Sequence, residues 1–185
     1  MIGRKTPYLL WKLSRMKSAI LLSLLLLTGL FRCQSVEKVE TVILDQQETK
    51  VNIYVDSCWN KHKTISIHEL MTDDFTRNLN GITVANGSVE LEAYIKSFIR
   101  AFPNLKIEVD TMIQKDRQIV TTWTFEGTNT GKFAECLPTG KKAKVSGVTL
   151  FQFNKDGKIL REDTYYNELY LLQQLGYTLN SPNLK

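Results

Sequence analysis

The sequence predicts an α+β domain, a strongly curved antiparallel sheet whose concave face is covered by N-terminal helices. Two observations carry this prediction. Apolar residues recur at helical spacing as far as Phe102, and after Pro103 their period drops from 3.6 to 2. The strands that follow are joined by short turn segments, Lys115-Asp116-Arg117 and Asn154-Lys155-Asp156-Gly157-Lys158, which make neighbouring strands antiparallel hairpins. With 185 residues, 43% hydrophobic and 23% charged, the chain fits one domain with a core of its own.

The elements follow in order. From Val36 to about Lys61, Leu44, Val51, Val55 and Cys58 or Trp59 recur near helical spacing and predict a first helix. Ile65 to Met71 reads as a short second helix, Thr72-Asp73-Asp74-Phe75 as a polar break, and Asn80-Gly81 and Asn86-Gly87 as turns. After Ser88, Leu91, Tyr94, Ile95, Phe98, Ile99 and Phe102 mark one face of a third helix, stopped by Pro103. Strands follow with alternating Leu105, Ile107 and Val109; Ile119, Thr121, Trp123 and Phe125; and Val145, Gly147, Thr149, Phe151 and Phe153. Lys132 to Lys142 is a longer excursion. A last strand, Ile159 to about Tyr166, runs into a short helix carrying Leu169, Leu171, Leu172 and Leu175, closed by Gly176 as a left-handed cap, with a loose tail beyond. A sheet covered in this way leaves a pocket beneath the helices, the default place for a ligand.

The net charge of +5 invites a nucleic-acid reading, and its distribution removes it. Six of the 24 Lys and Arg residues lie in the first 32 positions, which hold no Asp or Glu. From Cys33 onward 18 basic residues face 19 acidic ones, a balance of −1 with no basic stripe for a phosphate backbone.

That basic stretch precedes an apolar run from Ala19 to Phe31, the layout of an export signal over residues 1–33. Met16 is an alternative start to Met1. The run is shorter than the ~20 residues a spanning helix needs. A leucine-rich signal ending at Cys33 resembles that of a bacterial lipoprotein, with Cys33 as the acylated residue, although Phe31-Arg32 stand where a small residue usually precedes the Cys. Lipid anchoring, ordinary secretion and an uncleaved anchor remain open, and all place the chain in the periplasm or at the membrane. Contact with the membrane is expected only through this leader. Cys58 and Cys136 either pair in that oxidising setting or stand as separate thiols. Neither has a spaced Cys or His partner, so no metal and no cofactor is expected.

Six segments then carry a family resemblance: Asp74-Phe75, Ala101-Phe102-Pro103-Asn104-Leu105, Gly127-Thr128-Asn129-Thr130-Gly131, Pro138-Thr139-Gly140-Lys141, Asp156-Gly157-Lys158-Ile159 and Leu171-Leu172-Gln173-Gln174-Leu175-Gly176. In order and spacing they resemble the SnoaL-like polyketide cyclases, or ester cyclases, of the nuclear-transport-factor-2-like superfamily, over roughly residues 40 to 178. The resemblance implies a domain over 36–178 with a cone-shaped antiparallel sheet wrapped around the N-terminal helices, commonly paired as a homodimer through the outer sheet face. It also implies a general-base Asp six residues before the Gln-Gln-Leu-Gly segment, where this chain has Asn167. The family's His in its Gly-Thr-His-Thr-Gly motif is Asn129, and the His three residues after Asp-Phe is Asn78.

A carboxamide cannot accept the proton alpha to a carbonyl near neutral pH, so Asn167 cannot be that base. Asn78, Asn129 and Asn167 can orient a carbonyl or hydroxyl group, or can merely satisfy backbone groups. Asp163, four residues before Asn167 on the same strand face, is the candidate replacement acid/base, with a solvated place in the run Arg161-Glu162-Asp163 as its competing reading. In a pocket, burial would raise its pKa. Trp59, Trp123, Tyr165 and Tyr166 form a candidate wall for a flat ligand, Tyr165 sharing the phase of Asp163 and Trp123 reading rather as core, and His62 and His68 read as surface residues.

Three functions follow. The first is an exported binder of a small apolar or aromatic carbonyl compound. The second is an ester cyclase or isomerase using Asp163, and the third an interaction module dimerising through its sheet.

Overall fold

The computed structural model describes residues 46–133 and 136–181. The leader, Cys33 and the first part of the predicted N-terminal helix lie outside them. Helix α1 is α-helical over residues 46–53 and continues as a π-helix, Tyr54–Asn60. A 3-10 turn, Thr64–Ser66, and a single-turn helix α2, Ile67–Leu70, lead into strand β1, Met71–Leu79. Strand β2 is Ile82–Asn86 and helix α3 is Gly87–Ala101. Strands β3 (Lys106–Lys115), β4 (Gln118–Thr128), β5 (Lys142–Phe153) and β6 (Ile159–Tyr166) follow, and α4 (Glu168–Leu175) ends at Gly176 with φ 101°, the left-handed cap.

The predicted period-2 strands all form. The cone-shaped, wholly antiparallel sheet does not. The six strands lie in the order β2-β1-β6-β5-β4-β3, so the sheet is open, with β2 and β3 as its two edges. Strand β1 runs parallel to β6, bringing the first described strand beside the last.

The sequence reading went astray at β1. Thr72-Asp73-Asp74-Phe75 has the composition of a break, yet it lies within the strand, with Phe75 fully buried, Asp73 and Asp74 exposed, and an irregular register against β6 between Met71 and Thr76. Asn80 and Gly81, with φ 50° and 85°, make the tight turn that returns the chain as β2. The hairpin therefore interrupts the helices. One face of the sheet carries the core, in which Ile119, Phe125 and Phe151 of the strands join Leu91, Ile95 and the C-cap Phe102 of α3 and Val51 and Tyr54 of α1.

Candidate functional site

The hairpin registers select which residues face the helices. In β4 and β5, Ile119 pairs with Phe151, Thr121 with Thr149, Trp123 with Gly147 and Phe125 with Val145. A Cβ at Gly147 would lie 2.4 Å from Cζ2 of Trp123, so the missing side chain makes room for the indole. The register continues into β6, where Phe151 pairs with Glu162, Thr149 with Thr164 and Gly147 with Tyr166. Glu162, Thr164 and Tyr166 thus share the inner face.

From above, the π-helix turns Tyr54, Val55 and Trp59 towards that face and α3 supplies Tyr94 and Phe98. Together they line a partly open cavity of about 60 Å³. Trp59 meets Tyr54, Tyr94 and Phe98 edge-on, at centroid distances of 6.5, 6.5 and 5.9 Å. Trp59 thus lines the cavity. Trp123, read as core, also lines the cavity, 5.9 Å from the Tyr166 ring.

One corner is polar. Arg77 of β1 and Glu162 of β6 form a buried ion pair, side chains 6% and 3% exposed, in which Nη1 of Arg77 donates to Oε1 of Glu162. The Tyr54 hydroxyl donates to Oε2 of Glu162 at 3.0 Å, and the Thr164 hydroxyl to Oε1 at 3.2 Å. Thr164 is 3.0 Å from the Thr149 hydroxyl, which accepts from Trp123 Nε1 at 2.9 Å. The guanidinium also sits over the Tyr94 and Trp59 rings, at 5.0 and 5.5 Å from their centroids.

Burial works against the charge of Arg77, but Glu162, Tyr54 and Tyr94 outweigh it and hold its pKa above the ordinary range. Burial, reinforced by Glu162, pushes the Tyr54 phenol well up; burial first also raises Tyr94 and Tyr166. These phenols are donors at any physiological pH. Both oxygens of Glu162 are engaged by donors.

Asp163 lies elsewhere. It is buried on the outer face, where it accepts from Arg161 Nε and Nη2 at 2.7 and 2.9 Å and from Asn78 Nδ2 at 2.7 Å. The Arg161 hydrogen bonds, helped by Asn78 and opposed by burial, lower its pKa, opposite to the rise expected of a pocket acid. Asn78 completes this network by accepting from Thr83 Oγ1 at 2.8 Å. Tyr165, in phase with Asp163, is 48% exposed.

Asn167 is an exposed N-cap whose Oδ1 accepts from the Tyr170 backbone N–H at 2.9 Å. Asn129 is buried and staples loops: Nδ2 donates to Ala101 O and Gly131 O, while Oδ1 accepts from Thr139 N and Oγ1. Neither amide lines the cavity. His68, exposed, contacts Ser88 and Glu92, and His62 is exposed. Cys58 and Cys136 are separate free thiols, one buried and one exposed. Among the described residues, no three His, Cys, Asp or Glu side chains converge to hold a metal.

Sequence reasoning therefore missed Arg77, Glu162 and Tyr54. The signal existed for Glu162: the inward sets of β4 and β5, carried one hairpin further, put it opposite Phe151.

The solved structures similar to this chain include AclR from Streptomyces galilaeus, described as a candidate hydroxylase, at TM-score 0.63 and 22% identity over 72% of this chain and 97% of that one. A candidate SnoaL-like polyketide cyclase from Jannaschia sp. CCS1 aligns at TM-score 0.67 and 21% identity, over 74% and 96%. An LEH-like epoxide hydrolase of M. tuberculosis aligns at TM-score 0.57 and 10% identity, over 71% and 90%. At these identities the likeness concerns the fold. No curated protein sequence matches. The family model described as SnoaL-like polyketide cyclase matches residues 49–175, most of the chain and all the elements that build the cavity, and the chain belongs to that family.

Proposed function

We propose that this family member binds a compact, mainly apolar or aromatic compound bearing one carbonyl or hydroxyl group, in the cavity beneath α1 and α3, without acid/base catalysis. The observation that carries this reading is the engagement of the nearby carboxylates. Glu162, the carboxylate in the wall, accepts from Arg77, Tyr54 and Thr164. Asp163, the alternative acid/base, is occupied on the opposite face, and Asn167 caps a helix. A volume of about 60 Å³ lies below the ~150 Å³ of a cavity that takes a benzene ring, so a compact ligand is favoured over a fused tetracycle and a ring enters only as the aromatic walls move apart.

A thermal-shift screen of the full chain against small aromatic and aliphatic ketones, esters and alcohols tests the reading. Compact ligands should raise the Tm of the wild type and lose that effect in Trp59→Ala. Turnover of an ester-cyclase substrate by the wild type would instead favour the enzyme.

A homodimer through the outer sheet face belongs to the same proposal. It is supported by Ile113, Val120 and Tyr165, which are 65%, 37% and 48% exposed there. Export, with acylation at Cys33, is supported by the basic-then-apolar leader; the mass of the membrane-extracted protein tests it.

A further inference from the structure

A second cluster of reactive side chains lies outside the cavity, where α2 and the 3-10 turn before it meet the start of α3. His68 of α2 places Nδ1 3.0 Å from the hydroxyl oxygen of Ser88 and Nε2 3.5 Å from Oε2 of Glu92. Glu92 is held by its other oxygen: Oε1 accepts from Thr64 Oγ1 at 2.7 Å and meets Lys96 Nζ at 2.7 Å. Hydrogen bonds from Lys96 and Thr64 lower the Glu92 carboxyl to about 2, so it is an anion at neutral pH. In the neutral imidazole, an anion beside Nε2 favours the tautomer with its proton there, which leaves the Nδ1 lone pair facing the Ser88 hydroxyl. Nucleophile, base and orienting carboxylate thus follow one another, the arrangement that activates a serine. The Glu92 contact is long, as such contacts commonly are before substrate binds.

The backbone at Ser88 supplies the remaining part. Strand β2 ends at Asn86, Gly87 turns the chain at φ 75°, and α3 begins, so Ser88 stands on a sharp strand-to-helix turn. The first N–H groups of a helix have no intrahelical acceptor, and the N-cap Asn86 makes no side-chain hydrogen bond to them. The N–H groups of Ser88 and Val89 are therefore available to an oxyanion formed at the serine. The His68 side chain is 42% exposed, so a substrate reaches it from solvent. Ile65 and Val89, next in the chain to Thr64 and Ser88, are 74% and 72% exposed and offer an apolar surface for an acyl chain.

We propose that Ser88, His68 and Glu92 form a second site, separate from the cavity, that hydrolyses small neutral esters with an apolar acyl chain. Ser88 Oγ bonds to the ester carbonyl carbon while its proton passes to His68 Nδ1. The bond from that carbon to the alcohol oxygen then breaks, and the alcohol leaves with the proton. Water next adds its oxygen to the acyl carbon and gives a proton to Nδ1. The bond to Ser88 Oγ breaks, the carboxylic acid is released, and Ser88 regains its proton from Nδ1. Glu92 touches no reacting atom and acts by positioning the imidazole.

Hydrolysis of 4-nitrophenyl butyrate by the full chain, with peptide mapping of acid-quenched samples, tests the proposal. The wild type should release 4-nitrophenol over many turnovers and carry a butyryl group on Ser88. Ser88→Ala and His68→Ala should each lower the rate at least about tenfold, and the double variant should be no slower than either, because the two residues act as a unit. Glu92→Gln, which keeps an acceptor for Thr64, should lower kcat with KM unchanged. His62→Ala, which removes another exposed imidazole, should leave the rate as it is. Butyrylation of Ser88 that is lost in His68→Ala at unchanged Tm separates catalysis from a structural role, and mapping of the wild type alone decides where a variant fails to fold. A rate that survives in Ser88→Ala, butyryl groups confined to other residues, or no turnover by a folded wild type overturns the proposal and leaves the cavity reading untouched.

Discussion

Arg77 and Glu162 stand opposite one another in the parallel register of β1 and β6, and their side chains close into an ion pair inside the cavity wall. The pair joins the two strands at the seam between the hairpin at one edge of the sheet and the long antiparallel ladder. It also orients the guanidinium over Tyr94 and Trp59, so one interaction serves the fold and the site.

Breaking one half of that pair should cost far more than removing both. Arg77→Met leaves a carboxylate buried without its cation and should lower stability by about 3–5 kcal/mol in urea denaturation. Arg77→Met combined with Glu162→Leu should recover much of the loss. Additive losses would show that the two side chains do not act as a pair.

Gly147 tests the seating of the indole. An added Cβ would meet Trp123 Cζ2 at 2.4 Å and the Tyr165 carbonyl oxygen at 2.8 Å. Gly147→Ala should displace Trp123, cost about 1–3 kcal/mol and alter its fluorescence. An unchanged emission spectrum with full stability would mean that the indole is not packed over Gly147.

Asn167 should behave as a cap. Asn167→Ala should cost about 1 kcal/mol, and Asn167→Asp should leave stability near the wild-type value, because Asp caps as well as Asn. The Asp variant should gain no cyclase turnover, since the side chain is occupied at the Tyr170 N–H outside the cavity. Appearance of turnover would show that position 167 reaches the ligand.

The acid limb of stability should report Asp163. Its carboxyl is held below the ordinary range by Arg161, so its contribution is complete above the unfolded Asp value of about 3.9 and is lost as pH falls through the lower folded value. At pH 7 Asp163→Asn should be less stable than wild type by about 1–2 kcal/mol, and the two should converge as pH drops below that window. Parallel curves would mean that the carboxylate makes no such pair in solution.

The two thiols should differ sharply in reactivity. Burial, with a smaller contribution from Glu92, pushes the Cys58 thiol up to about 12, whereas Cys136 is exposed. Iodoacetamide at pH 8 should label Cys136 and spare Cys58 until the protein is unfolded, as peptide mapping would read. A Cys58–Cys136 disulfide in the same map would contradict the separate thiols.

Elements with one buried face and clean local boundaries were legible in the sequence. Helix α3 is announced by its apolar stripe and Pro103, β4 and β5 by alternation, and the end of α4 by Gly176. Strand β1 was not, because between Thr72 and Asn78 its sole large apolar residue is Phe75, and its inward charge is tolerated only through Glu162, 85 positions away. No turn signal marks a parallel pairing of that separation. The site was half legible for a related reason: Trp59 follows from helical patterning, whereas the phase of β6 needs a register carried across two hairpins. Choosing Asp163, Tyr165 and Asn167 selected residues of which Asp163 and Tyr165 belong to the outer face and Asn167 to the helix cap.

The most direct test of the central claim, that the aromatic cavity is the ligand site, follows the indole N–H signals of Trp59 and Trp123 in two-dimensional NMR while acetophenone is added to the full chain. Saturable shifts of both, with one shared dissociation constant and little change at Val120 and Tyr165, are predicted. Unmoved indole signals at saturating acetophenone, or shifts confined to the outer face of the sheet, would contradict it.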